Sequence, residues 1–332
     1  MKYRTLGNSQ IQASCITFGA WAIGGWMWGG ADQKEALEAI LAGWELGVTS
    51  IDTAPIYGQG LSEQIVGEAL KSIPRDQVQI FTKCGLRWDL AKGQFNLHSS
   101  DNTGRDIDIY RYAGKESIVE ECENSLRRLG TDYIDVYQLH WPDPTTPIEE
   151  SMEALLQLKQ QGKVREVGVC NYTAEQMQTA EKVIQLVSAQ NPHSMLNREI
   201  EKELIPYCIE HQKGVMAYSP MQRGLLTGKI KPTHVFAEGD TRNGNRFFTP
   251  HNIQETEKLL EKIRPVADAR GISLGQLALA WTLHQPGITI ALAGARNAAQ
   301  CRENAQAAEV QLQPDELAFI EKQLQEMQLI FS

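Results

Sequence analysis

A chain of 332 residues with 42% hydrophobic and 22% charged content is long enough to bury a large core and has a globular composition. Its net charge of -9 excludes a general affinity for nucleic acid or an anionic membrane surface, since both need a basic face. The six cysteines are widely spaced with no CxxC pair, which argues against a disulfide scaffold or a zinc site.

The first residues, Met1-Lys2-Tyr3-Arg4-Thr5-Leu6-Gly7, lack the apolar core of a secretory signal. No apolar run reaches the roughly 20 residues of a membrane helix, so a cytoplasmic protein is expected. Tyr3–Thr5 and Ile11–Ala13 flank a Gly7-Asn8 turn and predict an opening β-hairpin. Cys15–Gly19 is a short buried strand, followed by a Trp- and Gly-rich loop from Ala20 to Gly30. Asp32 caps a helix with apolar Ala36, Leu37, Ile40, Leu41 and Trp44 at helical spacing, and Gly47 ends it. Val48–Ile51 is the second strand and leads into Asp52, after which Ser62 caps the next helix.

The alternation continues through the chain. Strands are predicted over Val78–Cys84, Tyr133–His140, Val164–Cys170, Val187–Gln190, Val215–Tyr218 and Ile288–Leu292. Helices are predicted over Lys115–Arg128, Pro147–Gln161, Ala174–Leu186, Glu199–Gln212, Ile253–Ala269, Ser273–Leu283, Asn297–Ala307 and Pro314–Gln328. Eight short apolar strands alternating with helices predict an α/β fold, a closed (β/α)8 TIM barrel with the N-terminal hairpin and extra C-terminal helices. An open doubly wound sheet binding a dinucleotide would carry G-x-G-x-x-G straight after a strand, and no strand here is followed by one. With no linker, repeat or low-complexity tract, residues 1–332 are expected to form one domain.

In such barrels the chemistry sits at the carboxyl ends of the strands. Those ends carry Asp52, Lys83 and His140, and the loop after Asp52 carries Tyr57 in a Pro55/Gly58 turn. An Asp at a strand end is alone a helix cap, and a lone Tyr in a turn is packing. Four proton-carrying groups from three adjacent strands are not what core packing produces. Asp135 lies mid-strand and is read as structural. A phenol is a poor acid at neutral pH, but a neighbouring ammonium favours its phenolate and lowers its pKa. Asp52 can hold Lys83 charged, and Tyr57 with His140 can donate to a developing alkoxide. That suits proton delivery in carbonyl reduction, with the hydride from a bound donor.

The motifs Ile51-Asp52-Thr53-Ala54 with Tyr57-Gly58, Thr82-Lys83, Leu139-His140-Trp141-Pro142 and Gly168-Val169-Cys170-Asn171 together resemble those of an aldo-keto reductase. So do Tyr218-Ser219-Pro220 with Arg223-Gly224-Leu225-Leu226-Thr227-Gly228-Lys229, and Gly294-Ala295-Arg296 with Gln300, Glu303 and Asn304. Trp26-Met27-Trp28-Gly29-Gly30 and His140-Trp141-Pro142-Asp143 are most similar to bacterial members of the general-stress-protein type. The resemblance implies an NADP(H)-dependent enzyme reducing aldehydes and some ketones, with Tyr57 as proton donor and Asp52, Lys83 and His140 as its partners. It implies that Asn171 and Gln190 bind the nicotinamide carboxamide, preceded by Cys170, and that Tyr218 stacks on the ring. Ser219, Pro220, Leu225, Gly228 and Lys229 then line the pyrophosphate, and Gly294, Arg296, Gln300, Glu303 and Asn304 hold the adenosine end. Ala20, Trp21, Asp52 and Arg242 complete the implied cofactor contacts. Arg296, Lys229 and the helix start near Asn297 suit phosphate and favour NADPH. No metal is implied. The related potassium-channel β subunits give the alternative of an NADP(H)-binding redox sensor with slow turnover.

The segment Ser219–Pro250 is too long for a bare connection and is expected to fold over the cofactor as a clasp. Two departures stand near the cofactor: Cys170 where the family often has Ser, and His193-Ser194 where Tyr-Asn is common. Trp21, Trp28, Trp88 and Trp141 are candidate walls of the substrate pocket. The insertion Gly85–Gly114, with Arg87, Arg105 and Arg111, is either a further wall or a solvated loop.

Overall fold

The computed structural model describes residues 1–331. A hairpin of β1 (Tyr3–Thr5) and β2 (Gln12–Ser14) precedes β3 (Ile16–Gly19), and α1 (Gln33–Glu45) leads to β4 (Ser50–Asp52). Next come α2 (Leu61–Leu70), β5 (Gln79–Cys84), and then β6 (Leu86–Arg87), β7 (Gln94–Ser100) and β8 (Asp106–Arg111). The chain continues with α3 (Lys115–Leu129), β9 (Ile134–Leu139), α4 (Ile148–Gln160), β10 (Val164–Cys170), α5 (Ala174–Ala180) and β11 (Ser188–Pro192). It ends with α6 (Leu204–Glu210), β12 (Gly214–Tyr218), α7 (Pro250–Ala269), α8 (Leu274–His284), β13 (Ile288–Gly294), α9 (Ala298–Gln306) and α10 (Pro314–Gln325).

Strands β3, β4, β5, β9, β10, β11, β12 and β13 form a closed parallel barrel in that order, with β13 pairing back to β3. This is the expected (β/α)8 TIM barrel. Strand alternation builds its interior in layers. The bottom is plugged by Leu6, Ile11 and Ala13 of the hairpin segment, which pack with Phe81, Val136, Met216, Ile290 and Leu292. Two residues further along β5 and β9, the register sets Lys83 opposite Gln138. Polar side chains therefore begin where the apolar plug ends, at the carboxyl end of the strands. Asp135 is structural, as read: its buried carboxylate accepts from Arg75 Nη2 at 2.7 Å, Arg165 Nη1 at 2.9 Å and Ile80 N at 2.8 Å.

Several elements differ from expectation. The insertion Gly85–Gly114 is not a solvated loop but a three-stranded antiparallel sheet in the order β6-β8-β7, and it packs beside Trp88 and Trp141. Its cause is a period of two: Ile107 and Ile109 are buried while Asp106 and Asp108 are exposed. The helix expected over Glu199–Gln212 breaks into a 3-10 turn at Glu199–Glu201 and α6, because Pro206 tolerates only a first-turn position. α5 stops at Ala180, not Leu186; the carboxylate of Glu181 accepts from Leu186 N at 3.3 Å and closes the chain back. Ser62 is not the cap of α2. Gly60, left-handed at φ +99°, holds that place, and Ser62 Oγ donates to Ala20 O at 2.8 Å. Asp32 does cap α1, accepting from Glu35 N.

The segment 219–250 coils into 3-10 turns at Gln222–Thr227 and Arg246–Phe248. It buries Leu225, Leu226, Ile230, Phe247 and Phe248 against α7 and α8. Thr241 N donates to Met27 O at 3.0 Å, so this segment meets the Trp-rich loop.

Candidate functional site

Asp52 ends β4 and Lys83 is the next-to-last residue of β5. Parallel pairing of these neighbouring strands brings both side chains to one end of the barrel. Lys83 is fully buried, and its ammonium has three acceptors for three donors: Asp52 Oδ1 at 2.6 Å, Thr53 O at 2.9 Å and Tyr57 Oη at 3.3 Å. The second Asp52 oxygen accepts from Gln190 Nε2 at 2.7 Å and Gln138 Nε2 at 3.4 Å. Beneath the phenol thus lies a chain of ammonium, carboxylate and two amides, each with a defined partner. Cys170 Sγ joins it, 3.6 Å from Gln138 Oε1.

His140 follows β9, its backbone N bonded to Cys84 O at 2.9 Å. Its ring stands edge-on to Tyr57 with centroids 5.7 Å apart. Among the described residues the ring makes no hydrogen bond, so its polar edge is free for a substrate oxygen. Burial, then the nearby Lys83 charge, hold the His140 pKa well below the usual imidazole range. The neutral ring can therefore donate one N–H without a titration step near neutral pH.

The protonation of Tyr57 runs against expectation. Lys83 does pull its pKa down, but burial outweighs that, and the phenol is pushed up to about 12. Lys83 itself is shifted upward: burial disfavours its charge, and Asp52 and Tyr57 more than offset this. The ammonium is thus kept charged while the phenol keeps its proton. A phenol raised from 10.0 to about 12 favours the folded state fully below pH 10, a contribution lost as pH climbs from 10 to 12. Subtracting the alkaline phenolate absorbance titration of a Tyr57→Phe variant from that of the cofactor-free protein isolates this group. Its midpoint is expected above 10, and a midpoint below 10 would contradict this electrostatic balance.

The four candidate pocket tryptophans collect around Tyr57. Trp21 stacks on it at 6.0 Å and 25°, and Trp28 stands edge-on to Trp21 at 5.4 Å. Trp88 and Trp141 pack with Tyr57 against Ala54, Ile56, Leu86, Ile107 and Ile109, so the small sheet forms part of the wall. The Trp-rich loop and the Tyr57 turn touch backbone to backbone. A Cβ on Gly24 would lie 2.5 Å from Tyr57 O, and one on Gly58 (φ +69°) would lie 2.1 Å from Gly24 O. Only glycine fits at either point.

The other implied cofactor residues line the same rim. Asn171, left-handed at φ +60°, donates from Nδ2 to His140 O and accepts from Tyr218 Oη at 2.9 Å. Gln190 Oε1 has no partner among the described residues, while its amide nitrogen holds Asp52. After β12, Ser219, Gln222 and Arg223 all have positive φ, as do Gly224 and Gly228, a concentration of strained backbone that marks functional segments. At β13 and α9, Arg296 N donates to Gln300 Oε1 and Asn304 Nδ2 to Gly294 O, both side chains steadying the turn. Glu303 accepts from Ser273 Oγ at 2.6 Å, and Arg242 pairs with Asp240 at 2.6 Å beside Trp28. Arg223, Lys229 and Arg296 form no ion pair among the described residues. His193 stacks on Trp281 at 5.6 Å, bonds Glu201 at 2.8 Å, and takes no part in the Tyr57 network.

Gln138 and Arg223 were missed as site residues. Gln138 had a signal: a polar residue two positions before His140 on a strand shares its inward face. Arg223 lies within the 223–229 motif, but only the fold reveals that it is half-buried over Trp21 at 5.3 Å with no ion pair among the described residues.

The model of the Aldo/keto reductase family matches residues 15–325. The chain is 42% identical over 302 residues to the aldo-keto reductase YhdN of Bacillus subtilis, covering 90% of this chain and 86% of that one. It is 38% identical over 317 residues to an NADH-specific methylglyoxal reductase of Escherichia coli, covering 94% and 95%. The solved structure of a glycerol dehydrogenase from Gluconobacter oxydans superposes with a TM-score of 0.88 at 35% identity, covering 98% and 96%. Motif, barrel and rim agree with these matches: the chain belongs to the aldo/keto reductase family.

Proposed function

We propose that this protein reduces aldehydes, and some ketones, to alcohols, taking NADPH in preference to NADH and using Tyr57 as proton donor. The observation that carries the reading is the contact of Tyr57 Oη with the fully buried Lys83 ammonium at 3.3 Å, beside the unbonded ring of His140.

Aldo-keto reductases work with a nicotinamide cofactor, which supplies the hydride when bound. The residues on the rim fit such a group. Three cations without a carboxylate partner, Arg223, Lys229 and Arg296, suit its phosphates. Gln190 Oε1 is open to accept from a carboxamide, Asn171 stands beside it, and Tyr218 offers a ring face. Ser219, Pro220, Leu225 and Gly228 lie on the strained turn that would cradle the pyrophosphate. Gly294, Arg296, Gln300, Glu303 and Asn304 would take the adenosine end, with Arg242 reaching from the clasp and Ala20 and Trp21 from the Trp-rich loop.

The side chains then divide the proton work. The substrate oxygen sits between Tyr57 Oη and the His140 ring, accepting from both as negative charge grows on it. Tyr57 gives up its proton, and the phenolate left behind faces the Lys83 ammonium. Asp52 keeps that ammonium charged and fixed, and Gln190 and Gln138 keep Asp52 fixed in turn. The tryptophan wall keeps water from the developing charge.

The NADPH preference rests on Arg296 at the start of α9. Arg296→Ala is expected to weaken NADPH by at least about 10-fold and NADH by no more than about 2-fold, as loss of a phosphate partner should. Cofactor fluorescence titrations check this. The Escherichia coli relative named NADH-specific is a reminder of the other outcome, and equal losses would remove the 2′-phosphate assignment. A panel of small aldehydes, run with each cofactor, tests the reading as a whole. Tight cofactor binding with no turnover would favour a redox-sensing subunit instead.

A further inference from the structure

The small sheet β6-β8-β7 and its β7–β8 connection carry three arginines, and two are neutralised. Arg87 pairs with Asp89 at 2.7 Å and Glu120 at 3.3 Å, and Arg105 pairs with Asp101 at 3.2 Å. Arg111, the last residue of β8, forms no ion pair among the described residues. Its one hydrogen bond runs from Nε to the neutral amide oxygen of Asn96 at 2.9 Å. The guanidinium lies over the ring of Trp141, 4.5 Å from its centroid. It is half-buried, and burial pulls its pKa downward with no opposing carboxylate contact.

This cation borders a cavity of about 340 Å³ that it shares with Gln94, Pro142, Asp143, Thr146 and Gln176. Asp143 is the one carboxylate there, and its oxygens are saturated. They accept from Ala113 N at 2.9 Å, Thr145 N at 2.8 Å, and the hydroxyls of Thr145 and Thr146 at 2.7 Å each. The rest of the lining is apolar, from Pro142, Pro144 and Ile148, with the Thr146 hydroxyl and the amides of Gln94 and Gln176, so Arg111 is the group there that an anion would meet. Trp141 links the two places: it follows His140 directly, packs in one apolar cluster with Tyr57, and carries Arg111 on its face. A substrate with its carbonyl between Tyr57 and His140 would approach Arg111 by extending along Trp141, the side chain that touches both neighbourhoods.

We propose that Arg111 is a specificity-determining residue that selects carbonyl substrates bearing a carboxylate or phosphate at the end remote from the carbonyl. This rests on the reductase reading above. A planar guanidinium with free N–H groups offers such an anion a two-point hydrogen bond that a neutral analogue cannot repay. The gain belongs to substrate binding, because the anion's charge does not change during reduction.

Two aldehydes of equal shape test it: para-carboxybenzaldehyde and its neutral carboxamide, para-carbamoylbenzaldehyde. The holoenzyme is expected to prefer the carboxylate by at least about 10-fold in kcat/KM, carried mainly by KM, as a charge-assisted pair should. Arg111→Gln brings that ratio to about 1, and Arg111→Lys retains part of it. Phosphorylated glyceraldehyde against glyceraldehyde, measured the same way, shows which anion the site prefers. Binding is read separately through quenching of tryptophan fluorescence by terephthalate, which cannot react. Its Kd is expected to weaken at least about 10-fold in Arg111→Gln while cofactor affinity shows the variant to be folded. A wild-type ratio near one, a ratio that survives Arg111→Gln, or terephthalate binding indifferent to that change overturns the proposal. Arg111-dependent terephthalate binding without turnover of any aldehyde leaves the anion site standing and removes the reductase reading.

Discussion

Tyr57→Phe is expected to lower kcat for aldehyde reduction by about two to four orders of magnitude while cofactor affinity stays within about 3-fold. The change removes one oxygen. Trp21 keeps an aromatic face to stack on, and the apolar cluster of Ala54, Ile56, Leu86, Ile107 and Ile109 is untouched. What disappears is the phenolic proton held between the Lys83 ammonium and the space beside His140. His140 cannot take over as acid, because burial and Lys83 keep its ring neutral, and a neutral imidazole is a far weaker acid than an imidazolium. Steady-state reduction of a small aldehyde, with a fluorescence titration of the cofactor, measures both halves. A variant with near-normal kcat would take the donor role away from Tyr57.

Lys83→Met is expected to abolish turnover and also destabilise the fold by about 3–5 kcal/mol, the cost of breaking a buried ion pair by removing one partner. Asp52 is 3% exposed, and without Lys83 its charge keeps only the amide hydrogens of Gln190 and Gln138. The double variant Lys83→Met, Asp52→Leu removes the stranded charge, and much of the lost stability should return. Activity should not return, since nothing then faces the phenolate. Denaturant midpoints and steady-state rates on the single and double variants separate the two effects. Recovery of activity in the double variant would show that the pair serves packing alone. Unchanged stability in the single variant would show that the buried pair contributes little to the fold.

The barrel was legible because its strands are short apolar runs punctuated by helical periodicity, a pattern set by burial on both faces. Asp52, Lys83 and His140 were legible for a related reason, since they interrupt those runs at their carboxyl ends. Gln138 breaks the same rule one turn of the pleat deeper. Its role as a support of Asp52 follows from a register that only the closed barrel fixes. The small sheet β6-β8-β7 left its trace in Asp106-Ile107-Asp108-Ile109, yet charged residues at every second place read as loop unless a partner strand is known. The upward shift of Tyr57 lay beyond sequence because two opposed effects of similar kind decide it. Sequence shows that a lysine is near, but not how completely water is excluded. Ser62 illustrates the limit of local rules. As a capping residue it fits, but the carbonyl of Ala20, 42 positions away in the chain, claims its hydroxyl.

The contact of Gly24 with Gly58 has a meaning for how such a site can change. Because neither residue has room for a single added carbon, the Trp-rich loop and the Tyr57 turn are registered to one another at atomic tolerance. Insertions or deletions in the Trp-rich loop would move Tyr57 as well as the tryptophans. Diversification of substrate range should therefore fall on side chains of that loop, or on the small sheet opposite, which is tied to the acid turn through side chains. Directed libraries that hold Gly24 and Gly58 fixed and vary β7 and β8 would explore new substrates while leaving the proton where it is needed.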